Sequence, residues 1–142
     1  MLHFFATCLL LASVALAAEP EGDLKAFQGA WVVAEATLAG RDHTDDFKDM
    51  RLKITGEKYE IAFDTNSDKG TIKLDATKKP KQIDLTTLPG GPFKGRNLPG
   101  IYELKGDTII LCLEADKTDR PTKFEAPEKT RFMLFVFKHE KK

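Results

Sequence analysis

The stretch Met50-Arg51-Leu52-Lys53-Ile54-Thr55-Gly56-Glu57-Lys58-Tyr59-Glu60-Ile61-Ala62-Phe63 decides the fold class. Met50, Leu52 and Ile54 alternate with Arg51, Lys53 and Thr55. Beyond Gly56-Glu57, Tyr59, Ile61 and Phe63 alternate with Glu60 and Ala62. A period of two puts every apolar side chain on one face of an extended chain. The pattern therefore predicts two half-buried strands joined by a turn.

The same reading extends in both directions. Upstream, Asp23 heads a short helical turn with Leu24 and Phe27 on one face, Gly29 ends it, and Ala30 to Leu38 is a first strand. Gly40 to Asp46 reads as a polar loop. Downstream, Asp64 to Lys69 is a turn cluster, and Ile72 and Leu74 carry a strand that Lys78-Lys79-Pro80 breaks. Ile83 and Leu85 alternate with Gln82, Asp84 and Thr86, and Leu88 to Pro99 is a loop rich in Gly and Pro. Ile101 to Leu104 and Thr108 to Glu114 flank the tight turn Lys105-Gly106-Asp107. Ala115 to Thr130 is a long polar connection, and Arg131 to Lys138 is the last strand. The last two strands are apolar on both faces, unlike the early ones. With hairpin-length connections and no long crossovers, a parallel βαβ architecture is excluded.

The chain has 142 residues, of which 42% are apolar, enough for one domain with one modest core. Its 22 basic and 22 acidic residues balance, which argues against nucleic acid or a polybasic membrane patch as a partner. None of those charges lies in the first eighteen residues. Phe4 to Leu16 is an apolar run broken only by Thr7 and Ser13, too short for a spanning helix of ~20 residues. It ends in Ala15-Leu16-Ala17, small residues at the −3 and −1 positions of a signal-peptidase site. His3 stands where a Lys or Arg is usual, so an uncleaved N-terminal anchor is the alternative. Residues 1–18 thus read as a signal peptide and 19–142 as the mature domain, exported to the periplasm or the extracellular space, with no stable membrane span after processing. Cleavage removes Cys8 and leaves Cys112 alone in an apolar strand, a buried thiol with no base beside it in sequence.

Several polar clusters have the composition of a chemical site. Asp64-Thr65-Asn66-Ser67-Asp68-Lys69-Gly70 places oxygens at positions 1, 3 and 5 of a calcium-loop pattern, with Asp75 at 12, but its glycine falls at position 7 rather than 6. A hairpin turn is the favoured reading. Asp42-His43-Thr44-Asp45-Asp46 gathers carboxylates and one imidazole, too few nitrogen ligands for a usual zinc site. Asp75, Asp84 and Asp107 each sit beside a turn or on a polar strand face, where local hydrogen bonding explains them. Arg120, held by Pro121, is suited to pair with a strand-end carboxylate and tie the long connection to the sheet. No nucleophile elbow, phosphate loop or metalloprotease helix motif is present. No catalytic residue, metal ligand or cofactor is expected.

Gly29-Ala30-Trp31, following the helical turn, resembles the Gly-x-Trp element of lipocalin-type barrels. That resemblance implies that Gly29 and Trp31 close one end of a barrel under a basic side chain, for which Arg131 is the first choice and Lys138 the second. A second resemblance spans nearly the whole mature chain. It runs through Asp23-Leu24-Lys25, Gln28 to Trp31, Gly70-Thr71-Ile72-Lys73-Leu74-Asp75 and Lys78-Lys79-Pro80-Lys81-Gln82-Ile83-Asp84-Leu85-Thr86. It continues through Gly100 to Asp107, Leu111-Cys112 and Arg120-Pro121-Thr122-Lys123-Phe124. These segments, in this order, resemble a planctomycete conserved-hypothetical family of small exported domains, which implies a lipocalin-like fold and assigns no function.

The expectation is an all-β domain, a small antiparallel up-and-down barrel of about eight strands, lipocalin-like, with a short N-terminal helical turn; a sandwich is the alternative. Trp31, Tyr59, Phe63, Tyr102, Cys112 and Leu134 are expected to face the barrel interior. The expected function is non-enzymatic. The partner is either a small apolar ligand in the barrel or another exported protein on its loops; the alternative is a structural or protein-interaction domain with a filled core and no ligand. An interior volume of ~300 Å³ or more favours the ligand, and a filled interior favours the interaction reading. The signal peptide yields the first prediction. Exported protein should have an intact mass corresponding to cleavage after Ala17 or Ala18, and a mass still including Met1 would overturn it.

Overall fold

The computed structural model describes residues 22–90, 95–115 and 119–140. The expected signal peptide lies outside the described residues. The elements are α1 (Asp23–Phe27), β1 (Gly29–Leu38), β2 (Arg41–Asp42), α2 (Thr44–Phe47), β3 (Arg51–Thr55), β4 (Lys58–Phe63), β5 (Asn66–Asp75), β6 (Lys81–Thr87), β7 (Asn97–Lys105), β8 (Thr108–Glu114) and β9 (Phe132–His139). Every long strand pairs antiparallel with its neighbours in the order β1-β3-β4-β5-β6-β7-β8-β9, and β9 returns to β1. The result is a closed eight-stranded barrel, with the two-residue β2 added on β1. Among the described residues, no helix is long and apolar enough to cross a membrane.

The opening hairpin forms as its alternation predicts. β3 reads exposed-buried-exposed-buried-exposed, with Leu52 and Ile54 inside, and Leu52 lies opposite Ile61 and Ile54 opposite Tyr59. Closure comes from β1 and β9, paired from Trp31↔His139 to Leu38↔Met133. A bulge between Val33 and Glu35 inserts one residue into β1. The extra residue reverses the facing pattern, so Val33 and Ala36 are both buried.

Three loops are more ordered than their composition predicts. Gly40 to Asp46 holds β2 and the start of α2. There, His43 N–H donates to the Ala36 carbonyl, continuing the β1 edge. In the Asp64 to Lys69 cluster only two residues make the turn, because Asn66 already pairs with Phe63 and Asp68 with Ile61. In the Leu88 to Pro99 loop, β7 begins at Asn97, and Pro99 sits inside the sheet opposite Asp84. A proline cannot donate to the ladder. Beside it, the Arg120 guanidinium donates to the carbonyls of Ile83 at 2.9 Å and Gly100 at 2.8 Å, and reaches the Asp84 carboxylate at 2.9 Å. The expected anchoring of the long connection is thus made to Asp84 and to two ladder carbonyls.

That anchoring explains why β8 is apolar on both faces. Ile109, Leu111 and Leu113 point into the barrel. Cys112 faces outward, yet is fully buried together with Ile101, Pro121 and Ala126. The Cys112 thiol donates to the Glu125 carbonyl at 3.4 Å. Residues 119–130 therefore lie against the outer face of β7 and β8, and a small second core is sealed beneath them.

One barrel end is closed by α1. The Trp31 indole N–H donates to the Phe27 carbonyl at 2.8 Å, so the ring is buried without an orphaned donor. Phe27 packs edge-on against Tyr102 at 5.2 Å. The Gln28 side chain donates to the Gly56 carbonyl and accepts from the Gly56 N–H, fastening α1 to the β3–β4 turn. On the other side, the Asp23 carboxylate accepts from Lys81 at 2.9 Å and from the Tyr102 hydroxyl at 2.8 Å.

Two stability predictions follow from this end. Trp31→Ala should cost about 3–5 kcal/mol in denaturant melts, since it removes a fully buried ring and leaves a cavity. An unchanged midpoint would show that the ring does not close the barrel. For Asp23, the hydrogen bonds from Lys81 and Tyr102 hold the carboxyl below its usual value. Its folded pKa is thus lower than its unfolded one. Its contribution is complete above the unfolded value of ~3.9 and is lost as pH falls through the folded value. Asp23→Asn should cost about 1–2 kcal/mol at neutral pH. The difference from wild type should shrink in melts repeated at progressively lower pH below ~4, and a difference independent of pH would refute it.

Candidate functional site

The barrel interior is not solidly filled. A cavity of about 550 Å³ runs from Phe27 at the closed end to the opposite mouth. Its deep wall is made by inward residues of every long strand except β7 and β1, among them Leu52, Ile54, Ile72, Ile83, Leu85, Ile109, Leu111 and Phe137, with Leu98 of β7 and Leu38 of β1 nearer the mouth. The mouth is bounded by Leu38, Phe63, Asn66, Ser67 and Met133, which are partly or fully exposed. Phe47 on α2 reaches over it and packs against Phe63 at 5.6 Å and Phe135 at 5.5 Å. The helix that carries Phe47 is set by Asp42, whose carboxylate accepts from the backbone N–H of Thr44 at 2.9 Å and its hydroxyl at 2.6 Å. These bonds hold the Asp42 carboxyl below its usual range.

Of the six residues expected inside, Tyr59 and Phe63 line this cavity. Trp31 and Tyr102 face inward at the closed end, outside the cavity, where α1 covers them. Cys112 and Leu134 are corrected. Leu111 and Leu113 on β8, and Met133 and Phe135 on β9, take the inward positions, so strand alternation turns Cys112 and Leu134 outward. A strand that is apolar on both faces gives no parity signal, which is why sequence reading chose the wrong member of each pair. Burial pushes the Cys112 thiol up to about 11, against the hydrogen bond to Glu125, so it is protonated at neutral pH.

The closing pair also needs correction. Antiparallel register sets the end of β9, not its beginning, beside the start of β1, so Arg131 lies at the mouth end. The ring over Trp31 is His139, edge-on at 4.9 Å. Gly29, with φ +110°, makes room for it: a Cβ there would come within 2.8 Å of the His139 Nε2. Gly29 and Trp31 do stand at the closed end, and the third member is an imidazole that sequence reading overlooked.

Sequence reading also overlooked an acidic group in the cavity wall. Asp68 is 7% exposed. The Tyr59 hydroxyl donates to its Oδ2 at 3.1 Å, while its Oδ1 is buried with no hydrogen-bond partner among the described residues. Gly70 lies opposite Tyr59, and a Cβ there would collide first with the Thr86 carbonyl of β6 and then lie 2.8 Å from the Tyr59 ring. The ring occupies that space and extends along β5 to Asp68. Burial pushes the Asp68 carboxyl up, and the Tyr59 hydroxyl at Oδ2, with the backbone N–H of Lys69 near the carboxyl, opposes the shift. Burial, with Asp68 beside it, also raises the Tyr59 phenol well above its usual range. In sequence, Asp68 read as part of a calcium-like turn. In the structure that turn is Asp64-Thr65, and Asp68 is an inward strand residue.

The other acidic candidates stand apart. Asp75 accepts from Thr77 in a local turn, which holds its carboxyl low. Asp84 is engaged by Arg120 and Asn97. His43 pairs with Asp46 at 2.8 Å on the α2 segment. Among the described residues, no three His, Cys, Asp or Glu side chains group as a metal site. In comparisons with known proteins, the chain matches no family model, no curated protein and no solved structure.

Proposed function

We propose that this protein is an exported, non-enzymatic carrier that holds one small apolar molecule inside its barrel. The observation that supports this reading is the interior volume. About 550 Å³ lies within the range of small-molecule pockets, ~300–1,000 Å³. A barrel filled by its own side chains leaves no such space. The wall chemistry agrees with binding rather than turnover. Among the described residues that line the cavity there is one acid and no Lys, Arg, His or Cys, so no base–nucleophile or paired-carboxylate arrangement is on offer. Deep apolar walls with a few polar groups near one end are what an apolar ligand with a defined orientation needs. Phe47 covers the mouth from a four-residue helix, an element light enough to move aside for entry.

The test is uptake of Nile red, an uncharged apolar dye that fluoresces when removed from water. Saturable one-to-one binding is expected. Leu111→Trp, which fills the centre of the cavity, should abolish it while the barrel stays folded, at a packing cost of about 1–3 kcal/mol. Absence of saturable uptake by the folded wild type would overturn the carrier reading.

A further inference from the structure

We infer that the molecule carried in the barrel bears a hydrogen-bond-donating head, an amine or a hydroxyl, seated at the Tyr59–Asp68 corner, and that carboxylic acids are excluded. This rests on the carrier reading above and narrows it to a ligand class.

Three observations carry the inference. The first is the unmatched acceptor. Asp68 lines the cavity, is more than nine-tenths buried, and its Oδ1 takes no hydrogen bond from the described residues. A buried acceptor without a donor is costly, and a donor supplied by the ligand removes that cost. Ionised or protonated, a carboxyl oxygen keeps a lone pair with which to accept. The second is position. Among the described residues, Tyr59, Asn66, Ser67 and Asp68 are the polar members of the lining, and all four lie on the neighbouring strands β4 and β5. The polar corner is thus confined to one side of the cavity, with Asn66 and Ser67 exposed at the mouth. A ligand with one polar end has a single orientation that matches this wall: head at the corner, apolar body against Leu52, Leu85 and Leu111. The third is charge. No cationic side chain lines the cavity among the described residues. A carboxylate entering it would lose its hydration without gaining a counter-ion and would meet Asp68, which is the unfavourable case for burying an anion. An ammonium gains a partner in Asp68, and an alcohol brings its donor at little desolvation cost.

The experiment is displacement of Nile red at neutral pH by four probes of equal chain length: decylamine, decanol, decanoate and decyl methyl ether. Decylamine, decanol or both should displace the dye at concentrations at least tenfold below decanoate. The better of the two should also outperform the ether, which has the same chain and no donor. The amine and alcohol arms identify which donor the corner prefers. In Asp68→Ala, Nile red uptake should persist, and the advantage over the ether should disappear. If Nile red does not bind, the carrier reading fails and this inference with it. If Nile red binds but decanoate or the ether displaces it as well as the amine and the alcohol do, the ligand class is wrong and the carrier reading stands. The wild-type ranking decides the matter even if the alanine variant does not fold.

Discussion

The pairing of β9 with β1 is the constraint on which the rest of the molecule depends. It joins the two ends of an eight-stranded sheet and removes both open edges, each of which would otherwise present unpaired N–H and C=O groups. It also gives the inward face an inside. Without closure, Leu52, Ile72, Leu85, Leu111 and Phe135 would form an exposed apolar sheet face. The bulge between Val33 and Glu35 is part of the same constraint, since it lets β1 turn both Val33 and Ala36 inward as the strand curves around the barrel.

The two ends of the closed barrel are treated differently. At one end, Phe27, Trp31, Tyr102 and His139 pack ring against ring, and Gln28 and Asp23 fasten α1 on opposite sides. These bonds link elements far apart in the chain, so this end is knit by tertiary contacts. At the other end, among the described residues, Phe47 reaches across from a helix of a single turn. The asymmetry gives the cavity a floor and a mouth. Meanwhile the connection 119–130 is held on the outer wall by Arg120 and by a second small core around Cys112. The connection therefore leaves the interior wall untouched.

Gly70 shows how backbone and chemistry are joined at the polar corner. Removing a Cβ there costs strand stability, and the space serves both the close approach of the Thr86 carbonyl of β6 and the Tyr59 ring. The ring's hydroxyl then holds one oxygen of Asp68, and the other has no partner among the described residues. A group of this kind is expensive in a wall made only for packing. Inside a ligand cavity the same group becomes a means of selection, because only a donor satisfies it.

The order of apolar and polar residues by itself determined the all-β class and the hairpin succession, and the Gly-x-Trp resemblance implied Trp31 as an end residue. Period-two alternation is local, and β3 to β6 show it clearly. The same signal disappears in β8 and β9, where both faces are apolar, so it could not say that Leu111 faces in and Cys112 out. Only tertiary structure settled that, because the outward face of β8 is covered by a connection that looked solvated in sequence. Closure decided the remaining points for a related reason. Which residue covers Trp31 depends on the register between strands at opposite ends of the chain, and that register places His139 there and Arg131 at the far end. Whether Asp68 belongs to a turn or to the cavity wall depends on where β4 and β5 begin to pair. Composition describes what a residue tolerates, whereas pairing across the sheet decides which way its side chain points.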